Sequence, residues 1–589
     1  MQRGTVYLET FGCQMNELDS ELVAGSLSSL GYRFTDDAAA ADVVLYNTCS
    51  VREHAEQKVW SRLGELAIRK RTEPGLVVGV LGCMAERDGA PLIRRMPVVD
   101  ILCGPGELDK LPGLVDNAVR TRAGMIESDG ASDFDGETIS ANLVALQGST
   151  SRRTATLAAA EDTLELLDLS RAISPIDSSA MDGVGGRHSD HAAGGKRSAY
   201  VRITRGCNKF CTYCVVPFTR GAEVHRPPEH IVEECRRLAD AGVIEITLLG
   251  QTVNHYRFEH GAAVSLGGIV QPQKGRAFTG GHSRDPLAGV NVTTFADLLA
   301  MIHDRVPAIK RLRFVTSYPR DFGDDVLEVM RDHERICRYL HVPAQTGSDR
   351  LLKSMNRGYT VGEYIEFIDR ARAILDQPEL GRPLTMSGDF IVGFPGETDE
   401  DFDASVALIR RARYKNAFIF KYSPRPGTVA FDKLPDNVPE DVKRRRNNEL
   451  LAIQNTISDE ISKEQIGREL DVFVEGPSRR QAKKDRTIAD PDGACSSKGT
   501  ISLTVNGRGT TRPSDAVAVA DEDAIEPDEA PTATSTIQYA GRTDGDLIVF
   551  FDAPAPGADA PDLSGSILRM KIVEASALAL FGRRMPREH

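Results

Sequence analysis

From residue 200 onward the sequence repeats one pattern six times, a short apolar run followed by a longer stretch whose apolar residues have helical spacing. This alternation is typical of parallel strands joined by crossover helices. Six such units predict a partial (βα)6 barrel, in which functional residues should follow the carboxyl ends of the strands. The predicted strands are 200–204, 245–249, 311–316, 338–342, 385–392 and 417–422.

The two ends of the chain differ from this central part. Residues 2–120 show the same alternation over fewer units and predict an N-terminal α/β domain with a parallel sheet. Short strands separated by turn residues predict a small antiparallel β-barrel at the C-terminus. We therefore expect an N-terminal domain at 2–120, an acidic linker or insertion at 121–195, a barrel at 196–463 with a loop insertion at 257–290, and a C-terminal domain at 464–583 with an insertion at 480–535.

The net charge of −13 argues at first against a nucleic-acid partner. However, residues 126–195 carry twelve acidic and four basic side chains, and residues 481–535 carry ten and six. The acidity therefore belongs to the insertions, and RNA binding by the nearly neutral remainder is not excluded. Apolar runs are too short to cross a bilayer, and the N-terminus does not resemble a signal peptide, so a cytoplasmic location without membrane association is expected.

Three of the ten cysteines form the motif Cys207-Asn-Lys-Phe-Cys211-Thr-Tyr-Cys214, directly after the first predicted barrel strand. We call these three the loop triplet. Structural zinc is the alternative interpretation, but zinc needs a fourth ligand, and no further CxxC or HxxxH element that could supply it lies nearby. Three thiolates suit a [4Fe–4S] cluster that leaves one iron open, and an open metal position is what a catalytic site needs.

Three further cysteines, Cys13, Cys49 and Cys83, each follow a predicted strand of the N-terminal domain, at intervals of 36 and 34 residues. We call them the sheet triplet. The carboxyl ends of parallel strands lie along one edge of a sheet, so these thiols can converge on a second cluster. The alternative is three buried cysteines that pack as small apolar side chains. The other cysteines are interpreted as structural: Cys103, Cys235, Cys337 and Cys495.

With both triplets in view, the chain resembles the methylthiotransferases of the radical S-adenosylmethionine superfamily, most closely the MiaB-type tRNA branch. The residues Gln14-Met15-Asn16 favour this branch over its ribosomal-protein and threonylcarbamoyl-adenosine relatives, although Thr252 stands where the family often has Asn. Segment 540–551 resembles the TRAM domain, an RNA-binding β-barrel of this family. The other matching segments are FGCQMNELDSE (11–21), YNTCSVRE (46–53), 204–221, 248–256, HVPAQTGSDRLLKSMNRGYT (341–360), SGDFIVGFPGETDEDF (387–402) and YSPRPGT (422–428).

The resemblance implies two [4Fe–4S] clusters and S-adenosylmethionine as cofactors. The loop triplet would hold the cluster that cleaves S-adenosylmethionine, and the sheet triplet an auxiliary cluster that carries sulfur. The substrate would be the anticodon stem-loop of a tRNA with N6-isopentenyladenosine at position 37, methylthiolated at C2 with a methyl group from a second S-adenosylmethionine. An electron donor such as flavodoxin or ferredoxin and a sulfur source would be further partners.

Three alternatives remain open. Methylthiolation of an aspartate in a small-subunit ribosomal protein, or of threonylcarbamoyl-adenosine in tRNA, would use the same scaffold and cofactors. A protein that only carries clusters would need neither an open iron site nor an RNA-binding module.

Other polar residues are assigned more loosely. Tyr213 matches a family position near the adenine of S-adenosylmethionine, and a core tyrosine is the alternative. Gln251, Gln345, Asp389 and Gly393 follow predicted strands, where cofactor contact and simple turn formation are both open. The basic run 443–446 is either a phosphate contact or a solvated helix face.

Overall fold

The computed structural model describes residues 3–50, 53–128, 143–146, 162–173, 197–275, 291–478, 536–556 and 561–586. The predicted insertion at 480–535 and much of the spans 121–195 and 257–290 lie outside them. No helix among the described residues is long and apolar enough to cross a membrane.

The N-terminal domain is a six-stranded, fully parallel sheet, as the alternating pattern predicts. Val43–Thr48 and Val77–Gly82 are buried on both faces, which explains their unbroken apolar character. In sheet order the strands are Arg33–Phe34, Thr5–Phe11, Val43–Thr48, Val77–Gly82, Ile101–Cys103 and Leu143–Ala145. The helices are Gln14–Ser29, Glu53–Thr72, Cys83–Asp88, Ala90–Arg95 and Leu111–Ser128.

The central domain confirms the predicted partial (βα)6 barrel. Its six barrel strands form two three-stranded parallel sheets, joined by a bridge between Leu312 and Ile336, and shorter antiparallel strands lie in its loops. In order the strands are Ser198–Arg202, Glu245–Leu249, Arg311–Phe314, Tyr339–His341, Thr385–Val392 and Asn416–Lys421. The helices are Val216–Thr219, Pro228–Asp240, Phe295–Arg305, Asp324–Asp332, Asp349–Ser354, Val361–Leu375, Asp399–Ala412, Val429–Lys433 and Glu440–Lys463.

Two described pieces of the span 121–195 belong to the folded body. Leu143–Ala145 adds the sixth strand of the N-terminal sheet. Helix Thr163–Leu169 places Glu165 and Asp168 against the buried guanidiniums of Arg226 and Arg202. The expected linker therefore supplies counter-charges that the barrel needs, because a buried arginine without a partner is strongly destabilising.

The C-terminal domain is a closed five-stranded barrel, which is consistent with the TRAM-like domain predicted. Four of its five strand pairs are antiparallel, and the pair Ile548–Pro554 with Ala579–Arg584 is parallel. The other strands are Glu469–Pro477, Thr536–Thr543 and Ile567–Ser576.

The C-terminal barrel docks against the amino ends of the central strands, opposite the end where the cysteines lie. Arg311 and Arg313 donate to main-chain carbonyls of that barrel at 2.5–2.6 Å. Lys415 pairs with Asp546 at 2.7 Å. Burial alone would raise the pKa of Glu245, but Arg313 and Arg542 outweigh it and hold that pKa at about 2. These buried charges tie the two domains together.

Removing the Asp546 carboxylate should weaken this docking contact. We expect Asp546→Ala to lower the free energy of unfolding by about 2 kcal/mol, less than for a fully buried pair because this carboxylate is partly exposed. Thermal unfolding followed by circular dichroism measures the change. Asp552→Ala removes an exposed carboxylate from the same barrel and should alter stability by less than about 0.5 kcal/mol. Equal losses in both variants would contradict the docking role.

Candidate functional site

The loop triplet lies in a tight turn held from both sides. The Cys207 amide donates to Gly221 O at 3.2 Å, and the Thr212 amide donates to Met355 O at 3.1 Å. The Asn356 side chain donates to the carbonyl of Phe210, whose φ of 50° is left-handed. A left-handed residue at this position curls the chain so that the three cysteines share one turn.

The surroundings of the loop triplet suit a cationic group bound by thiolates. Burial raises the pKa of Cys207 to about 11, with Glu223 and Cys211 adding to the effect. Burial also raises the pKa of Cys214, and its two fellow cysteines raise it further. Thiolates gathered here therefore need a positive partner. Arg357 donates to Cys211 Sγ at 3.3 Å, but one guanidinium leaves most of the charge of three thiolates unbalanced. The all-sulfur donor set fits an iron–sulfur cluster.

The sheet triplet converges at the carboxyl edge of the N-terminal sheet. A hydrogen bond from Cys49 lowers the pKa of Cys13 to about 6 against the effect of burial, with help from Arg220. Cys83 is the first residue of the helix Cys83–Asp88 and directly follows the strand Val77–Gly82. Arg220 interacts with both Cys83 and Cys13. The structure therefore brings the three predicted thiols to one place.

The cysteines outside the triplets have other surroundings. The Cys103 thiol donates to the carbonyl of Glu107 at 3.2 Å, and burial raises its pKa. Cys235 and Cys337 are buried in the barrel domain. Cys495 lies outside the described residues.

Two asparagines to which the sequence analysis gave no role in a site link the segments that carry the sheet triplet. Asn16 Nδ2 donates to Asn47 Oδ1 at 2.9 Å, and Asn47 Nδ2 donates to Asn16 O at 2.9 Å. A side chain on Gly82, whose φ is 84°, would lie 2.5 Å from Asn47 Oδ1. Asn16, Asn47 and Gly82 lie three, two and one residues from Cys13, Cys49 and Cys83, respectively. In the sequence, the one feature that could have pointed to Asn16 and Asn47 is that each lies close to a cysteine.

One short helix joins the two triplets. Val216–Thr219 begins two residues after Cys214 and packs against helix Cys83–Asp88. Arg220 follows it and donates to Asp19 Oδ2 at 2.9 Å. At the helical rise, the six residues from Cys214 to Arg220 span about 9 Å. Because Arg220 interacts with Cys13 and Cys83, the two triplets lie near each other.

The residues predicted to bind S-adenosylmethionine are distributed around the barrel mouth. The Gln345 amide donates to Asp389 O at 2.7 Å, so these two lie together, and His341 Nε2 is 3.4 Å from Asp389 Oδ2. Tyr213 packs edge-on against Phe394 with ring centroids 6.4 Å apart. Gln251 is half-buried beyond the second strand.

Gly393 has a different setting. Its amide donates to Glu397 Oε2 at 2.5 Å, and the stem of Lys443 covers the position that a side chain would occupy. This contact favours the turn-building interpretation of Gly393 over cofactor contact.

One buried carboxylate and two histidines lie together behind Cys207. Glu223, His225 and His255 offer ligand atoms within 4.8 Å of one another. However, the Arg257 amide donates to His225 Nδ1 at 2.8 Å, so a neutral His225 carries its proton on Nε2, facing Glu223 at 3.1 Å. Burial opposes the Glu223 charge, but both histidines outweigh it and lower its pKa to about 2. Glu223, His225 and His255 therefore form a buried, electrostatically coupled group behind Cys207.

The basic run 443–446 is mostly occupied within the protein. Lys443 pairs with Asp436 at 2.6 Å, and Arg446 pairs with Glu397 at 2.7 Å. Both side chains are buried, whereas Arg444 and Arg445 are exposed. Only Arg444 and Arg445 of this run are therefore exposed enough to contact a phosphate.

Each triplet should hold one four-iron cluster. We expect about eight irons per reconstituted chain, and about four after Cys207/Cys211/Cys214→Ala or after Cys13/Cys49/Cys83→Ala. Iron and sulfide analysis measures both variants. Cys103→Ala is the control and should keep the wild-type count. A sheet-triplet variant with undiminished iron would refute the second site.

The asparagine pair should matter to the sheet triplet alone. We expect Asn47→Ala to lower the free energy of unfolding by about 2 kcal/mol, because Asn16 loses buried hydrogen-bond partners. The iron content should fall toward that of the Cys13/Cys49/Cys83→Ala variant. Asn117→Ala, at an exposed helix position, should leave stability and iron unchanged. Full iron loading of Asn47→Ala would contradict this role.

Two family models match the chain. Residues 5–104 match the uncharacterized protein family UPF0004, and residues 201–409 match the radical SAM superfamily. The tRNA-2-methylthio-N(6)-dimethylallyladenosine synthase of Rhodopirellula baltica is 43% identical over 482 residues, covering 82% of this chain and 85% of that protein. Proteins of the same name from Burkholderia multivorans and Porphyromonas gingivalis are each 38% identical, covering 81% and 82% of this chain and 86% and 87% of theirs.

Proposed function

Because the chain belongs to the family of tRNA-2-methylthio-N(6)-dimethylallyladenosine synthases, we propose that it replaces the C2 hydrogen of N6-isopentenyladenosine at position 37 of tRNA by a methylthio group. The observation that carries the proposal is the pair of cysteine triplets across one short helix. Sulfur insertion at an unactivated carbon needs a site of radical formation and a source of sulfur within reach of the same atom.

The donor sets fit two [4Fe–4S] clusters and S-adenosylmethionine, with Cys207, Cys211 and Cys214 holding one cluster and the sheet triplet the other. When bound, these groups supply a carbon-centred radical, a sulfur atom and a methyl group. The chain supplies position and exclusion of water. A loop turn with one open metal position suits chelation by a small cofactor.

The polar residues at the barrel mouth orient the cofactor in this proposal. Tyr213, Gln251, Gln345 and Asp389 are the proposed contacts to S-adenosylmethionine, and Gly393 shapes the turn beside them. Gln345 has a φ of 73°, a conformation that costs energy for a non-glycine residue. The carbonyl of Gln345 accepts the Ile391 amide at 2.8 Å, so the fold holds this conformation in place.

The remaining partners are proposed from the chemistry alone. A low-potential electron donor such as flavodoxin or ferredoxin would reduce the loop-triplet cluster, and a separate sulfur source would reload the sheet triplet. Both fit a cytoplasmic enzyme that acts on tRNA.

Two single variants separate the roles of the triplets. We expect Cys207→Ala to lose both 5′-deoxyadenosine formation and methylthiolation, because cofactor chelation is lost. Cys83→Ala should still form 5′-deoxyadenosine but should yield no methylthio product. Mass spectrometry of nucleosides from isopentenylated tRNA measures the second product, with Cys103→Ala as control. Methylthiolation by the Cys83→Ala variant would disprove the sulfur-carrying role.

Substrate choice tests the alternatives in the same assay. The wild-type chain should modify isopentenylated tRNA and leave isolated small-subunit ribosomal protein and threonylcarbamoylated tRNA unmodified. Turnover of either alternative substrate in place of isopentenylated tRNA would overturn the proposed function.

A further inference from the structure

Exposed phenylalanines are concentrated in one part of this protein. Among the described residues, five phenylalanines are exposed by 37% or more, and each lies in the loop triplet, beside it, or on the last barrel strand. Fully burying such a ring stabilises a protein by about 1.5–3 kcal/mol, so leaving several partly exposed in one region forfeits some of that stability. Single exposed apolar residues are ordinary, but a cluster marks a binding surface. The five are Phe210, Phe218, Phe418, Phe420 and Phe431, which we call the aromatic rim.

Three of these rings stand on the segment that carries the loop triplet or on a helix fixed to it. Phe210 is 56% exposed and lies between Cys207 and Cys211. Phe218 lies in the short helix between the triplets. Phe431 belongs to helix Val429–Lys433, in which the Ala430 amide donates to Thr212 O at 2.8 Å.

The other two rings line the edge of the open barrel. Ala417 and Ile419 of the last strand pack into the hydrophobic core beneath the helices. Because side chains alternate along a strand, Phe418 and Phe420 face the barrel interior, about 6.6 Å apart along the chain. The Phe418 ring lies 6.0 Å from His341, which is close to Asp389. The two rings therefore border the proposed cofactor site.

Cations suited to phosphate contact accompany the rings. Lys433 is exposed on the same short helix as Phe431, and Lys353 is exposed next to Ser354, whose carbonyl accepts the Thr212 hydroxyl at 3.0 Å. Neither lysine forms an ion pair with the part of the chain that the structure describes. Aromatic faces next to unpaired cations are the combination that binds unstacked nucleobases on a phosphate backbone.

We propose that the aromatic rim is a stacking surface for the unpaired bases of the anticodon loop, and that it holds the loop while the target adenosine enters between the triplets. This inference rests on the proposed function and extends it to named residues. Stacking on a ring is indifferent to base identity, so the rim would grip the loops of several tRNAs with different anticodons.

The experiment uses the full, reconstituted chain and a synthetic anticodon stem-loop that carries N6-isopentenyladenosine, with 2-aminopurine as the next unpaired base. We expect Phe420→Ala and Phe431→Ala each to raise the Kd about tenfold in fluorescence anisotropy, within the range known for base–aromatic stacking. The quenching of 2-aminopurine on binding should diminish, and Phe→Tyr at the same positions should restore both signals. Leu380→Ala removes an exposed apolar side chain that precedes the amino end of the strand Thr385–Val392, and this variant should bind like the wild type.

The possible outcomes distinguish a failure of this inference from a failure of the proposed function. If the wild type binds the stem-loop and the alanine variants bind it equally well, the rim is not the RNA surface and the proposed function survives. If the variants lose affinity for S-adenosylmethionine but not for the stem-loop, the rings belong to the cofactor pocket and the inference is overturned. If the wild type neither binds nor modifies isopentenylated RNA, the proposed function fails first and the inference with it.

Discussion

A single buried carboxylate sets the relation between the two cysteine-bearing domains. Asp19 accepts Arg202 Nη1 on one oxygen and Arg220 Nη2 on the other, both at 2.9 Å, and all three side chains are nearly inaccessible to solvent. Asp19 belongs to the helix that follows Cys13, whereas Arg220 comes six residues after Cys214. Removing this carboxylate would leave the buried Arg220 without its ion-pair partner, which costs several kcal/mol, whereas Arg202 also pairs with Asp168 at 2.6 Å. The closeness of the triplets is therefore a property of the fold.

A second ionic contact joins the same domains elsewhere. Glu56 of the N-terminal domain accepts Arg425 Nη1 at 2.9 Å and Arg87 Nη1 at 2.7 Å. The C-terminal barrel occupies the opposite end of the central strands through Arg311, Arg313 and Lys415. With one end of the central strands covered and the mouth bordered by the N-terminal domain, the open barrel edge at Asn416–Lys421 is the side we propose for RNA entry. The exposed rings on that strand agree with this route.

Local patterns were informative where the chemistry is local. The spacing of Cys207, Cys211 and Cys214 predicts one tight turn because neighbours in sequence must be neighbours in space. Strand–helix alternation predicts both parallel sheets and the place of Cys13 and Cys49 after strand ends. The roles of Asn16, Asn47, Arg357 and Asp19 have no such signal, since their partners lie up to about 200 residues away in the chain. The run 443–446 does not form one exposed basic surface, because Lys443 and Arg446 are buried in ion pairs.

By itself, the sequence determined the order of the domains, the barrel and the two groups of thiols, because hydrophobic periodicity and short-range spacing depend only on neighbouring residues. Only the tertiary structure decided that the two groups lie near each other, that the C-terminal barrel covers the far end, and that the stem of Lys443 covers Gly393. Those outcomes depend on which buried charges and close backbone approaches can be satisfied together. Long-range pairing of this kind is settled when the whole chain packs, and a single stretch of residues does not contain it.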